Sequence, residues 1–316
     1  MSYNVENFFQ SNQDSINVPS EFSSTGIRGW SYARYRDKRN SIAKVIVSLG
    51  EWTPPALVAL CEVENQYVLE DLTLHSPLRG LHYQIVHFES PDPRGIDVAL
   101  LYQPKAFQLI HKEPIRIHFP DHAYQHTRDI LYVVGTTWGK DTLHIFVSHF
   151  PSRFKGELES EDSRLFVASV LRHEVDSVFQ VNSKANIVIM GDFNDYPDNS
   201  SIGKVLRALP DNSAIRPKQL YNLFYTTNTA RKIGSYKHGG EWGMLDQIIV
   251  STHLLTDTLH THTTFASAHV FAPAFLLEDE TKGFGQKPFR TYVGMKYHGG
   301  FSDHLPVYVD FQCPPQ

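Results

Sequence analysis

The run Ile187-Val188-Ile189-Met190 is apolar at every position, the pattern of a strand covered on both faces. A chain that holds such a strand must supply a layer on each side of it. Strand-like apolar runs also occur at 1–5, 56–61, 83–88, 97–102, 107–117, 130–137, 143–148, 245–250 and 305–311. Gly139-Lys140-Asp141, between two of them, is a hairpin signal. Helical spacing is rarer. Ile42, Val45, Ile46 and Leu49 share one face of a predicted helix over 31–49, capped by Ser31 and stopped by Pro54-Pro55. Residues 65–74 read as a second helix, and Leu165, Ala168, Leu171, Val175 and Val178 mark a third over 162–179. Residues 12–31 are polar and Ser-rich and read as a loop. Strands outnumber helices and do not alternate with them one for one. That disfavours a doubly wound sheet and favours two packed sheets with helices outside. No repeat, low-complexity segment or linker divides the chain, so residues 1–316 read as one domain.

Composition narrows the partners. Net charge is -5 and the sequence pI about 6.4. Proteins that grip nucleic acid by backbone charge tend to be basic, so any such contact here must be local. Cys61 and Cys313 make no disulfide framework and are expected as two buried free thiols. No apolar run reaches membrane-spanning length and no secretory signal is visible. The first strand begins at Met1, which reads as a clipped N-terminus, with an internal start or a removed signal segment as alternatives. The compartment therefore stays open.

Acids, amides and histidines gather where apolar runs end. Asn4 follows Met1-Ser2-Tyr3, Glu62 follows Val58-Ala59-Leu60-Cys61, and His149 follows Ile145-Phe146-Val147-Ser148. Asp192 and Asn194 follow Ile187 to Gly191, Asp246 sits within Met244 to Ile249, and Asp303-His304 precedes Leu305-Pro306-Val307. A lone Asp at a strand end is more often a turn residue or helix cap. Six such places in one chain weigh more, because burying these groups is costly unless they pair or bind metal.

Five segments carry a specific likeness: Ser2-Tyr3-Asn4-Val5-Glu6-Asn7, Ala59-Leu60-Cys61-Glu62-Val63-Glu64, Gly191-Asp192-Phe193-Asn194-Asp195, Leu245-Asp246-Gln247-Ile248 and Ser302-Asp303-His304-Leu305-Pro306-Val307. Their order over nearly the whole chain resembles the endonuclease/exonuclease/phosphatase family, the deoxyribonuclease I-like proteins, and especially its bacterial members of unassigned substrate. The resemblance implies an α/β (α+β) fold: two packed, mostly antiparallel sheets flanked by helices in a four-layer α/β/β/α sandwich. It implies a phosphoesterase dependent on Mg²⁺ or Mn²⁺, with a phosphate-ester substrate and nucleic acid as one option. A monomer is expected. Many relatives have Gln where Cys61 stands here, but the acid is kept as Glu62.

By matching positions, the resemblance makes Glu62 the principal metal ligand, with Asn4 and Asp303 completing or supporting the shell. Few protein ligands suits Mg²⁺, which keeps several waters. Asp192 would orient or deprotonate the attacking water, and Asn194 would hold that water or a phosphate oxygen. His304 would stabilise charge on the phosphate, with Asp246 fixing its tautomer or protonation. His149 resembles a general-acid histidine, and general acid-base help is worth roughly 10²–10⁴-fold. Asp97 is read equally as orienting His149 or as an exposed strand-edge acid. Arg128 matches a phosphate-contacting Arg, with a surface salt bridge as the plain alternative. Arg290, Tyr292 and Tyr297, close in sequence to His304, are expected to line the substrate cleft.

Two activities remain within this reading. His149 and Arg128 favour a nuclease; the acidic balance favours a smaller phosphoester such as a nucleotide, a sugar or inositol phosphate, or a lipid headgroup. A non-catalytic binding module of the same fold is the other class. Retention of Glu62, His149, Asp192, Asn194, Asp246, Asp303 and His304 argues against it.

Overall fold

The computed structural model describes residues 1–11, 20–50, 53–120, 125–153, 156–280 and 285–314. The longer apolar runs form β1 (Ser2–Phe8), β2 (Leu57–Val63), β3 (Gln84–His87), β4 (Asp97–Tyr102), β5 (Phe107–Ile115), β6 (Ile130–Thr137), β7 (Thr142–His149) and β8 (Asn186–Asp192). Four short strands follow that the apolar pattern does not announce: β9 (Ala208–Pro210), β10 (Leu220–Asn222), β11 (Tyr236–His238) and β12 (Glu241–Gly243). Then come β13 (Asp246–Ser251), β14 (Ala268–Val270), β15 (Leu277–Asp279), β16 (Gln286–Pro288), β17 (Tyr292–Val293), β18 (Lys296–Tyr297) and β19 (Val307–Val309). The three main helices are α1 (Tyr32–Gly50), α2 (Gln66–His75) and α3 (Glu161–Val181). Asn65 caps α2 by accepting from the Val68 N–H at 3.1 Å.

Among the described residues, one sheet runs β14-β19-β1-β2-β4-β3 and the other β5-β6-β7-β8-β13-β10-β9, with three small two-stranded ribbons besides. Most pairs are antiparallel; β1 with β2, β7 with β8, and β9 with β10 are parallel. Alternation along the strands builds three apolar layers. Val58 and Leu60 of β2 pack outward with Ile42, Val45 and Ile46 of α1. Ala59 and Cys61 face inward and meet Val147, Val188 and Met190 of the second sheet. Ile187 and Ile189 turn the other way, onto Val167, Leu171 and Val175 of α3. Helix, sheet, sheet and helix are thus stacked as a four-layer sandwich, and β8 is covered on both faces.

The two cysteines differ. Cys61 is buried, and its thiol points to the Ser148 carbonyl oxygen at 3.7 Å; Cys313 is only half-buried, because it lies beyond the last strand. Both are free. Among the described residues no helix is long and apolar enough to cross a membrane.

Candidate functional site

Strand register brings the motif residues to one edge of the sandwich. His149, the last residue of β7, lies opposite Asp192, the last of β8, and Asp192 lies opposite Asp246, the first of β13. Asn4 of β1 lies beside Cys61 of β2. The two sheets are tied together here: Asn4 Nδ2 donates to Asp192 Oδ2 at 2.9 Å. His149 Nε2 stands 3.6 Å from the same Asp192 oxygen, and His304 Nε2 stands 3.9 Å from it. The other oxygen, Oδ1, accepts the Asn194 N–H at 2.9 Å. Behind His304, its Nδ1 is 2.6 Å from Asp246 Oδ2. Ser302 sets the approach, its hydroxyl donating to the Asn4 carbonyl at 2.7 Å and accepting the His304 N–H at 3.1 Å.

Glu62, the sixth residue of β2, breaks the regular pairing of that strand. The β2–β4 register shifts between Cys61 and Val63, and Glu62 has φ +66°. A bulge of this kind re-aims a side chain. Glu62 Oε2 accepts the Asn7 N–H at 2.9 Å, and Arg94 Nη2 stands 3.5 Å from Oε1. Glu6, Asn7 and Asn194 also have positive φ. Left-handed backbone costs non-glycine residues of order 1–3 kcal/mol each, and such strain concentrates at functional sites.

Asp303 belongs to a partly buried ionic chain. Its Oδ2 is 2.9 Å from Arg290 Nη2, and the same nitrogen is 3.4 Å from Glu6 Oε1. The Thr291 N–H donates to Glu6 Oε2 at 2.6 Å, and Lys38 Nζ donates to Thr291 Oγ1 and the Phe301 carbonyl, each at 2.5 Å. Burial, partly offset by Glu6, Asp303 and Glu62, brings the Lys38 amine down to about 8.

The electrostatics divide the two histidines. Burial would lower His304, but the Asp246 and Asp192 carboxylates outweigh it and hold the imidazole well above its usual range. Both carboxylates favour the protonated ring. His149 is held well below its usual range by burial first and then by the charges of Arg128, Arg94 and His304. Its Nδ1 is buried and lacks a hydrogen-bond partner among the described residues. The neutral imidazole that this favours is a hydrogen-bond donor through one nitrogen. Burial pushes Asp192 up to about 6, with His304 opposing and Asp246 adding to the rise.

Three sequence expectations are corrected. Arg128 does not present its fork to a ligand. It is 5% exposed, with Nη1 donating to Asp92 Oδ2 at 2.9 Å, Nη2 to the Phe150 carbonyl at 2.5 Å and Nε to the His149 carbonyl at 3.2 Å. It braces the end of β7 instead. Asp97 is neither a partner of His149 nor exposed: it is 2% exposed and pairs with His87 Nε2 at 3.1 Å. Of the supposed cleft residues only Arg290 joins the cluster. Tyr292 is buried against Phe22 and Trp30, and Tyr297 packs on Tyr292 and on the Arg34 guanidinium. Asn194 does sit beside Asp192, but its Nδ2 is given to the Phe150 carbonyl at 3.0 Å.

The sequence reading gave no role to Glu6, Lys38, Arg94 or Tyr236, whose ring packs 4.9 Å from that of His304. Glu6 was findable, two residues past Asn4 in the same motif segment. Arg94 lies in a loop without pattern, and nothing in sequence connects Lys38 of α1 to a strand edge.

The donor set fits a hard divalent cation. Carboxylate and amide oxygens predominate. Asp246 Oδ1 is buried with no hydrogen-bond partner among the described residues. Asp192, Asp246 and His304 offer ligand atoms within 4.8 Å of one another. This group adds to the Asn4, Glu62 and Asp303 set read from sequence.

Sheet order, layers and this polar edge define a deoxyribonuclease I-like α/β sandwich. The chain belongs to the Endonuclease/Exonuclease/phosphatase family, whose model matches residues 1–313. Similar solved structures include an endonuclease/exonuclease/phosphatase from Bacteroides vulgatus (12% identity, 99% of this chain and 97% of that one, TM-score 0.58). A mannosyl-6-phosphatase of Bacteroides thetaiotaomicron matches at 15% identity, 98% of each chain and TM-score 0.57. The human Nocturnin catalytic domain matches at 16% identity, 89% of this chain and 87% of that one, TM-score 0.55. At such identities the likeness is one of fold. No curated protein matches the sequence.

Proposed function

We propose that this protein is a divalent-metal-dependent hydrolase of phosphate esters, acting on a phosphodiester. One observation carries the reading: a single buried oxygen, Asp192 Oδ2, stands 3.6 Å from one histidine and 3.9 Å from another. An atom placed beside all three would meet a proton acceptor and two imidazoles at once. Asp192 accepts a proton from water, while the Asn4 amide and the Asn194 N–H keep its carboxylate from turning away. His304, protonated and backed by Asp246, donates a charged hydrogen bond to a phosphoryl oxygen, the stronger kind. His149 donates from the opposite strand, and the negative charge of a bound phosphate raises its affinity for a proton. Glu62, with Asn4 and Asp303, would hold Mg²⁺ or Mn²⁺, which when bound neutralises phosphoryl charge and acidifies water.

Two readings of the substrate remain. A DNA or RNA phosphodiester suits the pair of histidines. A small phosphoester, such as a nucleotide, a sugar or inositol phosphate or a lipid headgroup, is favoured by the internal use of Arg128 and by the net charge of -5. The test is hydrolysis of bis-p-nitrophenyl phosphate and p-nitrophenyl phosphate with Mg²⁺, with Mn²⁺ and with chelator, followed by DNA, RNA and small phosphoesters. Metal-dependent turnover of the diester is expected. Absence of turnover on every ester, with Glu62→Gln behaving as the parent, would leave only a binding module. A steep fall of activity on DNA with added salt would decide for nucleic acid.

A further inference from the structure

Arg128, occupied by two carbonyls and Asp92, leaves the site without the guanidinium that sequence assigned to phosphate. Arg94 is the residue placed to supply one. It sits in a tight turn: the Gly95 N–H donates to the Asp92 carbonyl at 2.9 Å, Pro93 fixes its own φ, and Gly95 takes φ +64°. The Asp92 side chain locks this turn, with Oδ1 accepting the Arg94 N–H and Oδ2 accepting Arg128 Nη1, each at 2.9 Å. Arg128 in turn holds the His149 and Phe150 carbonyls, so the backbone of Arg94 is tied to the end of β7 through one carboxylate. A binding group built on a braced backbone is preorganised.

The tip of the side chain still has donors to give. Arg94 Nη2 donates to Asn7 Oδ1 at 3.0 Å and stands 3.5 Å from Glu62 Oε1, a long contact for a charged hydrogen bond. Among the described residues Arg94 Nε and Nη1 make no hydrogen bond, and the side chain is 42% exposed. The other cations here are committed. Arg290 bridges Asp303 and Glu6, Lys38 is buried on Thr291 and the Phe301 carbonyl, and His304 is backed by Asp246. Asn7 sets where the tip lies, since its N–H donates to Glu62 while its side-chain oxygen takes Arg94. The charge of Arg94 is also among those that hold His149 below its usual range. One guanidinium thus acts on both Glu62 and His149.

A cation in this place is either an ion-pair partner of Glu62 or a binder of the substrate anion. The 3.5 Å separation and the unused nitrogens favour the second. We propose that Arg94 is a substrate-binding residue, which grips a nonbridging phosphoryl oxygen through its unused N–H groups. The inference rests on the phosphoesterase reading for its chemistry. It gives the site the charged fork that Arg128 does not present, on the side of Glu62 and Asn7.

The experiment uses the full chain with Arg94→Gln and Arg94→Lys. Inorganic phosphate is titrated calorimetrically, in Mg²⁺ and in chelator, beside KM and kcat on bis-p-nitrophenyl phosphate and a thermal melt. Arg94→Gln is expected to bind phosphate about tenfold or more weakly and to raise KM by a similar factor, with kcat and Tm changed less. Arg94→Lys keeps the charge without the planar fork and should fall between the two. Loss of a positive charge beside Glu62 should also lower the Mg²⁺ concentration for half-maximal activity. Tighter metal with unchanged phosphate affinity and KM would make Arg94 a partner of Glu62 alone and overturn the proposal. A parent that binds no phosphate would overturn it too. Phosphate binding that depends on Arg94, in a protein that hydrolyses no ester, would uphold the proposal and sink the phosphoesterase reading instead.

Discussion

His304 Nδ1 lies 2.6 Å from Asp246 Oδ2, and both residues are buried. Asp246 starts β13 and is paired on one side with β8, so the carboxylate cannot follow the ring if the ring turns. The contact points His304 Nε2 at Asp192 and stabilises its proton. Asp246→Asn keeps the shape and removes the charge. The expected outcome is a kcat lower by roughly 10²–10⁴-fold, with KM and Tm little changed. Steady-state kinetics beside a thermal melt checks it, and a kcat within twofold of the parent would show that His304 needs no acid behind it.

The proposed base sets an acidic limb. Asp192 must be ionised to accept a proton, and burial raises it to about 6 from 3.8. Activity should therefore rise through about pH 6 rather than about pH 4. Because the folded state holds this proton more tightly, Asp192 favours the fold below pH 3.8, and that contribution is lost as pH rises through about 6. A kcat/KM profile from pH 4 to 9 on a diester that does not itself titrate reads the limb. A flat profile down to pH 4.5 would remove Asp192 from the role.

Metal dependence should run through Glu62. Chelation is expected to abolish turnover, and Mg²⁺ or Mn²⁺ to restore it. Glu62→Gln keeps one oxygen for the Asn7 N–H but loses the charge beside Arg94. The metal concentration for half-maximal activity should rise by about tenfold or more, with kcat at saturating metal falling less. A metal titration of both proteins decides; identical curves would assign the ion elsewhere, with the Asp192, Asp246 and His304 group the remaining donors.

The fold was legible because burial on both faces leaves a mark. Ile187 to Met190 announced a covered strand, and the spacing of Leu171 and Val175 announced the helix that covers it. Three-residue strands such as β9 to β12 leave no period to read, and their pairing depends on neighbours far away in sequence. The site was legible wherever a polar residue ended an apolar run, as at Asp192. It was not where direction decides. Arg128 and Asp97 read as exposed or reactive because sequence shows that a charge is present, not whether Asp92 or His87 already neutralises it. Tyr292 lies two residues from Arg290, yet one faces a core of aromatics and the other an acid. The bulge at Glu62 is likewise a property of the pairing, not of the residue.

Gly191 offers the sharpest test of how the strand ends are set. It has φ +145°, and a Cβ there would lie 1.8 Å from the Ser148 carbonyl oxygen. Ser148 is its partner across the parallel β7–β8 pair, and the next pair along is His149 with Asp192. No side-chain rotation relieves a clash with backbone, so Gly191→Ala must push the two strands apart one residue before the reacting groups. Overpacking of this kind costs about 1–3 kcal/mol, while displacement of a catalytic group by about 1 Å can cost about 10²-fold in rate. Urea unfolding and kcat measured on the same preparation should therefore show a modest loss of stability and a large loss of turnover. Gly203→Ala is the control, since its Cβ would meet nothing nearer than the Pro197 carbonyl at 4.0 Å. A Gly191→Ala protein with parental kcat would mean that the register of His149 against Asp192 does not govern the reaction.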